Sequence, residues 1–460
     1  MLANIANTFA NCFKIPELKS RIVFTLIVLA ICRVAAMIPI PGLDGAALAE
    51  FFEKNLSGQE GGGMLGMYSM FTGGALERCA IGALGIMPYI SATIILQLLT
   101  AVVPQLSKLA REEGGRAKII QYGRYLTVVL CLGQGLVMAI GWENAGNIFP
   151  GFTGKLVMYD AIWWYRIQTV IILTTGTLLL MWLGEQITER GIGNGISLVI
   201  SIGILARLPQ AVQALLDMFR SVGGADARFN MFHAIVMLFL LFGVIAGVIA
   251  VTQAQRKVAV QHAQRAVGRK IVSGGTSFMP LRVNYAGVMP IIFAQAILMF
   301  PQKILQFLGS SYNLPFLTSV ANMLNEGAFL YMLLYAFMIL FFSYFWVATQ
   351  FNEIQIADDL KKSGGYIPGV RPGQATSDFL HNAMSRITLA GAVFLTVIAT
   401  IPILLNRAIA IPPAVATFFG GTSILILVGV MLDTMRQMES HLLMRHYDGF
   451  LKKGRLRGRF

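Results

Sequence analysis

The sequence has few charged residues, few cysteines and few histidines. Charged residues make up 13% of its 460 positions, whereas an ordinary soluble protein has about 25%. This shortage argues against a soluble globular chain. The four cysteines (Cys12, Cys32, Cys79 and Cys131) include no close pair, and the five histidines are scattered. The spacing therefore predicts neither a disulfide framework nor a metal site, and we expect no cofactor.

Catalytic and nucleotide-binding motifs are also missing. The glycine-rich stretch ERGIGNG at 189–195 lacks the Lys-Ser/Thr pair of a P-loop, and no strand precedes it. An intramembrane hydrolase would need a nucleophile–base set or an HExxH motif, and neither is present. An ion-coupled solute carrier normally carries Asp or Glu in the middle of its spans, whereas the acidic residues here cluster near ends and loops. We therefore expect no enzymatic activity, and any energy must come from a partner.

What the sequence has in abundance is apolar residues, which make up 56% of the chain. They fall into ten blocks of membrane-spanning length, and each block predicts a helix, because lipid offers the backbone no hydrogen-bond partner. The first block is long for a signal peptide and lacks a good cleavage site, so we expect a retained span. The ten blocks lie at 21–39, 76–103, 123–141, 160–184, 195–216, 231–253, 285–308, 329–349, 388–405 and 411–432.

The basic residues predict the orientation of these spans. With the N-terminus in the cytoplasm, the termini and the inside loops hold 26 of the 36 lysines and arginines. Basic residues concentrate on the cytoplasmic side of membrane proteins. Both termini are therefore expected in the cytoplasm, and most of the net charge of +14 faces anionic lipid or an acidic macromolecule there.

A repeated hexamer predicts two related halves. GIMPYI at 85–90 lies in the second span and GVMPII at 287–292 in the seventh, so the two halves would have opposite topology. Matching Gly/Pro interruptions in inverted repeats point to a transport path, although chance similarity is the alternative. We assign residues 1–220 to an N-terminal half, 221–435 to a C-terminal half and 436–460 to a basic tail.

A short apolar segment precedes the second span. It is too short to cross a membrane, and glycines flank it. A segment of this kind is either re-entrant, acting as a movable stopper between the halves, or a helix lying on the membrane surface. We call residues 64–75 the plug segment; its large apolar side chains are Met64, Leu65, Met67, Tyr68, Met70 and Phe71.

Several stretches resemble the SecY family, whose members form the channel subunit of the bacterial protein translocase. The resemblance extends from the first span to the tenth. It implies an all-α polytopic fold in which two inverted five-helix halves surround a central pore with a short re-entrant plug helix. The stretches that carry it are MIPIPGLD, MFTGGAL, LGIMPYISA, ITERGIGNGIS, AGVMPIIFA, LKKSGGYIPGVRPG and FGGTSILI.

The resemblance also implies a pore waist lined by isoleucine. An apolar ring dewets and holds back ions, and β-branched side chains give it a defined width. Any single isoleucine in a span is more often explained by packing, so the assignment depends on the complete set. Gly85, Pro88, Gly287 and Pro290 would be hinges beside the ring, with close helix packing through glycine as the alternative. The matching ring positions are Ile86, Ile90, Ile196, Ile200, Ile292 and Ile426.

Members of this family open sideways to release signal sequences and membrane segments into lipid. The seam lies between spans two and three in one half and seven and eight in the other. Gln97, Gln134 and Gln295 are polar residues of these spans, which would bridge the closed seam or make ordinary hydrogen bonds between helices.

The cytoplasmic loops 254–284 and 350–387 would dock the motor ATPase SecA and the ribosome, through rRNA and exit-site proteins. Basic inside loops also arise from topology alone, but the Pro/Gly-rich tip at 364–373 predicts a shaped finger. The small subunits SecE and SecG, signal peptides, nascent chains and anionic lipids are the other expected partners, in the bacterial cytoplasmic membrane. The expected docking residues are Arg256, Lys257, Arg269, Lys270, Tyr366 and Arg371.

Overall fold

The computed structural model is mainly helical, and a helix lies within each of the ten predicted spans. The all-α polytopic prediction is confirmed in this respect. The structure describes residues 15–56, 69, 71–112, 114–145, 152, 154–219, 231–262, 265–267, 270–272, 275–311, 314–325, 328–409 and 422–453.

The helices of the N-terminal part alternate between long apolar spans and short surface pieces. In the described helices of this part, proline occurs only in the first turn, at Pro16, Pro88, Pro104 and Pro209, where its missing N–H costs nothing. In chain order they are α1 (Pro16–Ala35), α2 (Gly45–Leu56), α3 (Met87–Val102), α4 (Pro104–Arg111), α5 (Gly115–Glu143), α6 (Ile162–Arg190), α7 (Gly195–Leu205) and α8 (Leu208–Phe219).

The C-terminal part repeats this pattern and adds a small sheet. The elements are α9 (Met231–Gln253), β1 (Gln255–His262), β2 (Arg265–Val267), β3 (Lys270–Val272), β4 (Thr276–Arg282), α10 (Met289–Ser311), α11 (Pro315–Met323), α12 (Phe329–Gln350), α13 (Glu353–Ser363), β5 (Gly365–Tyr366), α14 (Gln374–Ile409) and α15 (Thr422–Lys453). The strands are the part of the fold that the all-α prediction omitted. The last helix also extends to Lys453, well into the segment 436–460 that the sequence assigned to a basic tail.

Six of the described helices are long and apolar enough to cross a membrane, or seven if α3 and its bent continuation α4 count as one span. The bend between α3 and α4 is 104°. It falls at Val103, whose extended backbone (φ −90°, ψ 114°) is the conformation favoured before a proline. The amphipathic helix α4 therefore turns away from the direction of the span.

The second span differs from its predicted bounds. Helix α3 begins at Met87 rather than at residue 76, and residues 72–79 and 81–86 form turns. This turn region is nevertheless buried, with Ala75, Cys79 and Ala83 fully inaccessible. Chains of turns are tolerated at membrane depth only where protein surrounds them, and the burial of this stretch meets that condition.

One hydrophobic cluster joins the two halves. It takes residues from α1, α3, α6 and α7 in the first half and from α9, α10, α12 and α15 in the second. Helices α3 and α10, which carry the two hexamers, contact each other across the junction. The core therefore lies where the halves meet, which is also where the ring was predicted.

Candidate functional site

The six predicted ring residues all belong to or pack against this central cluster. Five of them are at most 5% exposed: Ile86, Ile90, Ile200, Ile292 and Ile426. The sixth, Ile196, is partly buried and packs against the same cluster. They come from both halves of the chain, and their branched apolar side chains offer water no hydrogen bond.

The two hexamers are helix beginnings, which corrects the idea that they weaken helices from within. Gly85 and Gly287 have φ values of +60° and +63°, and helices α3 and α10 begin two residues later, at Met87 and Met289. The prolines are thus the second helical residues, where no intrahelical donor is required. Each hexamer turns the chain and starts a helix, so that the following isoleucine enters the cluster.

A small cavity with polar and apolar walls lies beside the starts of α7 and α10. Its volume is about 70 Å³, and Asn194, Ser197, Asp433 and Thr434 line it together with residues 286–289 and Val430. The predicted ring residues Ile196 and Ile426 lie on α7 and α15, the helices that provide these polar residues. We call this cavity the vestibule.

Tight contacts in the glycine-rich stretch at 189–195 build one wall of this vestibule. Asn194 caps α7, its side chain accepting hydrogen bonds from the backbone N–H groups of Ile196 (3.1 Å) and Ser197 (3.4 Å). The N–H of Gly193 donates to Gln437 Oε1 at 2.8 Å. From the sequence, this stretch was noted for the P-loop residues that it lacks and as part of the resemblance to the SecY family. Its role is to fix the start of α7 against α15.

The plug segment is described only at its C-terminal end. Phe71 is 6% exposed and belongs to the same cluster as the ring isoleucines. Met64, Leu65, Met67, Tyr68 and Met70 lie outside the described residues. Thr72 follows Phe71 and donates from its hydroxyl to the Ser69 carbonyl at 3.1 Å, so the end of this segment is a tight buried turn.

A buried charged group beside the plug segment was missed by the sequence analysis. Arg207 forms an ion pair with Glu77, and their side chains are only 12% and 9% exposed. Arg207 also donates to the Ser69 hydroxyl, and Arg33 donates to the Gly73 carbonyl. Glu77 is the second residue of the predicted second span, so it lies near an end as expected, but the structure shows that it is buried. Charges inside apolar blocks are the signal that would have revealed the group.

The three predicted gate glutamines lie on the expected helices but form no bridge in the described part of the chain. Gln295 is 5% exposed. Neither of its amide atoms has a hydrogen-bond partner among the described residues, and the same is true of Gln97 Oε1 and Gln134 Nε2. Polar atoms that are buried without a hydrogen-bond partner raise the free energy of a membrane protein.

The two long loops that were expected on the cytoplasmic side fold together into one platform. Strand β5 of the second loop pairs with β1 of the first, with Gln261 opposite Tyr366, and β4 completes the order β4-β1-β5. A separate cluster beneath the sheet includes Val258, Phe351 and Leu380. The shaped finger is thus held by strand pairing and packing, which adds to the turn chemistry that predicted it.

Most of the predicted docking residues are available on this platform. Arg256, Lys257 and Arg371 are exposed, and Tyr366 is 40% exposed. Lys270 lies in β3, and Arg269 is outside the described residues. Arg371 is fixed through its backbone, because its carbonyl accepts a 2.9 Å hydrogen bond from the Thr376 hydroxyl.

Comparison with known proteins places this arrangement in context. A sequence model of the SecY family matches residues 80–435. A protein translocase subunit SecY from Chlamydia trachomatis is 41% identical over 458 residues, covering 98% of this chain and 99% of the relative. The Vibrio cholerae and Escherichia coli subunits are 44% and 43% identical, each over 96% of both chains.

Solved structures agree in fold. A structure of a protein conducting channel aligns with a TM-score of 0.61 at 17% identity, covering 95% of this chain and 94% of the other. Sec61 in the canine ribosome–channel complex from the endoplasmic reticulum aligns with a TM-score of 0.59 at 17% identity, with the same coverage. The backbone arrangement described above is therefore that of this channel architecture.

Proposed function

The chain belongs to the SecY family, and we propose that it is the channel through which a translocase passes unfolded polypeptides across the bacterial cytoplasmic membrane. Its full-length relatives are translocase subunits. The single observation that supports the mechanism is that all six predicted isoleucines belong to or pack against the cluster that joins the halves. An apolar waist of this kind excludes hydrated ions when closed, while a passing chain slides through non-directional contacts.

The vestibule and the plug segment extend this proposal along the pore axis. A polypeptide enters through the vestibule beside Asp433, passes the isoleucine ring, and displaces the plug segment on the outer side. Residues 1–220 and 221–435 act as the two halves of the clasp. The burial of Phe71 in the central cluster supports a stopper more than a helix on the membrane surface.

Lateral release would use the seam formed by α3 and α5 on one side and α10 and α12 on the other. Gln97, Gln134 and Gln295 bring polar atoms with no partner among the described residues to these helices. A buried amide without a partner gains a hydrogen bond when a polar group enters the seam. We propose that these glutamines lower the cost of separating the seam when a signal sequence enters it.

The platform of β1, β4 and β5 is the proposed dock for SecA and for the ribosome. Arg256, Lys257, Arg269, Lys270 and Arg371, with Tyr366 at the tip, provide basic and aromatic contacts, and rRNA contacts would go through phosphate and weaken with salt. SecE and SecG are the proposed small subunits. Both termini would lie in the cytoplasm, where the basic loops and tail also meet anionic lipid.

Crosslinking a trapped chain tests the channel. A secretory polypeptide is stalled in transit, with a photoreactive residue placed in turn at Ile90, Ile292 and Ile426. Adducts with the stalled chain are expected at these positions. The matched control is Ile171, which is 57% exposed on α6 and should label lipid instead. Labelling of the stalled chain at Ile171 but at none of the ring positions would overturn the proposal.

Partner identity is tested separately, because ring contacts do not depend on it. Mild detergent extraction followed by affinity purification should recover two small membrane subunits of one or a few spans. Recovery of this chain alone, with translocation still active after reconstitution, would exclude the assembly with SecE and SecG.

A further inference from the structure

A buried charged group lies between the plug segment and the middle of the predicted fifth span. Apolar packing alone does not account for it. Helix α7 ends at Leu205 and α8 begins at Leu208, so Arg207 stands at a break within the predicted fifth span. Its ion-pair partner Glu77 lies in the buried turns before α3 and is 7% exposed. A charged pair at this depth is expensive to desolvate and is kept only where it has a role.

Both partners hold the plug segment rather than the helices alone. Arg207 donates to the hydroxyl of Ser69, which is fully buried. Ser69 in turn accepts hydrogen bonds through its carbonyl from the N–H of Gly74 (2.8 Å) and the hydroxyl of Thr72. The guanidinium thus reaches the two ends of one short turn, at Ser69 and at Glu77.

Arg33, near the end of α1, fastens the middle of the same turn. It donates to the carbonyl of Gly73, whose backbone lies so close to α7 that an added Cβ would come within 3.0 Å of the Gly203 Cα. Arg78 and Arg207 both lie close enough to Arg33 for their charges to repel it. Glu77 pairs with one of these cations, Arg207, and so offsets part of this repulsion.

We propose that Glu77, Arg207 and Arg33 form a latch that holds the buried turn between Ser69 and Glu77, at the C-terminal end of the plug segment, in the closed channel and releases it only into a hydrated pore. The inference rests on the proposed function, since it assigns positioning residues to the closed state. Separating the ions in an apolar interior would cost several kcal/mol per ion, but a water-filled pore solvates each charge as it separates. Opening of the latch is thereby coupled to the entry of water and of a polypeptide.

The latch predicts that both neutral single variants leak. Glu77→Gln leaves the buried guanidinium of Arg207 without its anion, so the resting ion leak should rise about tenfold or more. Arg207→Gln leaves the Glu77 carboxylate without its cation and removes the donor to Ser69, so its leak should rise similarly. The double variant removes both charges of the pair, so its leak should be far below the product of the two single effects.

The experiment measures ion efflux from vesicles containing the purified, reconstituted translocase without substrate. The four channels of the cycle are compared with Glu143→Gln, which breaks the partly buried ion pair between Glu143 and Arg166 (2.6 Å) outside the plug segment. This control should stay tight. If Glu77→Gln does not yield a monodisperse complex, Glu77→Asp provides a milder version that keeps the charge and shortens the reach.

The outcomes separate the latch from the channel itself. A channel lacking residues 64–71 provides the reference for an unplugged pore. If that deletion leaks while Glu77→Gln and Arg207→Gln stay tight, or if their effects simply multiply, the latch is refuted and the channel stands. If the deletion also stays tight and the wild-type complex moves no polypeptide, the proposed function itself has failed.

Discussion

Gly85 and Gly287 adopt the same left-handed backbone conformation, with φ values of +60° and +63°, although 202 positions separate them in the chain. Each lies two residues before a helix that begins with Met-Pro and carries a ring isoleucine. A shared turn of this kind at equivalent points of two oppositely directed spans supports a duplicated, inverted unit more strongly than four matching letters do.

Alanine at either glycine should destabilise the protein. An L-residue in the left-handed region costs about 1–2 kcal/mol. At Gly85 the new Cβ would also come within 3.1 Å of Thr72 Cγ2, whereas at Gly287 the nearest atom is Asp433 Oδ2 at 3.8 Å. We therefore expect Gly85→Ala to lower the unfolding midpoint in detergent more than Gly287→Ala.

Gly133 is the matched control for these substitutions. It lies inside α5, and an added Cβ would meet nothing within 4 Å. Alanine there should be neutral or stabilise the helix by up to about 1 kcal/mol. Equal midpoints for all three variants would contradict the strained turns.

The spans could be predicted because apolar blocks are a local signal. The ring came from the resemblance to the SecY family, at positions such as Ile90 and Ile292, and it stays a prediction that the burial of these residues supports. The start of α3 could not be predicted, because residues 76–86 are as apolar as a helix and only the surrounding protein decides that they form turns. Hydropathy reports burial, and here it does not distinguish a buried helix from buried turns.

Long-range pairings account for the rest of what sequence analysis missed. The ion pair between Glu77 and Arg207 joins residues from two different predicted spans. The strand pairing of Gln261 with Tyr366 joins two loops more than one hundred residues apart. A single sequence does not show which distant residues pair with each other, because each partner alone looks like an isolated charge or a short loop.

Widening the ring should make the resting channel leak ions. Replacing Ile90 and Ile292 with glycine removes two buried branched side chains, so water can enter the waist and carry ions through it. Single-channel recording or ion efflux from reconstituted vesicles measures the effect. Each substitution should also cost about 3 kcal/mol of stability through lost packing.

Ile95→Gly is the control that distinguishes a leak caused by an opened ring from a leak caused by a weaker helix. Ile95 lies on α3, as Ile90 does, but is 39% exposed, so glycine there weakens the same helix without opening the waist. We expect it to remain tight. A leak from Ile95→Gly as large as that from Ile90→Gly would mean that helix weakening, not the ring, controls conductance.

Reversing the charge at Arg371 should block motor-driven export. Its backbone is held by the hydrogen bond from Thr376 while its side chain is exposed, so a glutamate would present the wrong charge at a fixed point. Like charges in an interface cost several kcal/mol, and we expect export into vesicles to fall about tenfold or more. Membrane insertion of the subunit should be unchanged.

Lys362→Glu is the control for Arg371→Glu. Lys362 is exposed in the same loop, near the end of α13, and its reversal changes the net charge by the same amount. Export that falls equally in both variants would point to the overall charge of the loop and would remove the specific role of Arg371.

Cysteines at Gln261 and Tyr366 should join the two cytoplasmic loops by a disulfide. These residues are opposite each other in the antiparallel pairing of β1 with β5, where Cα atoms lie about 4.5–5.5 Å apart, within the range of a disulfide. Mild oxidation of inverted vesicles, followed by peptide mapping, detects the link. Gln255 with Tyr366 is the control, since Gln255 lies at the far end of β1, about 20 Å away. Linkage of the control pair but not of Gln261 with Tyr366 would show that the loops are separate. If the channel with the disulfide still exports at the wild-type rate, the platform docks its partners as one rigid body.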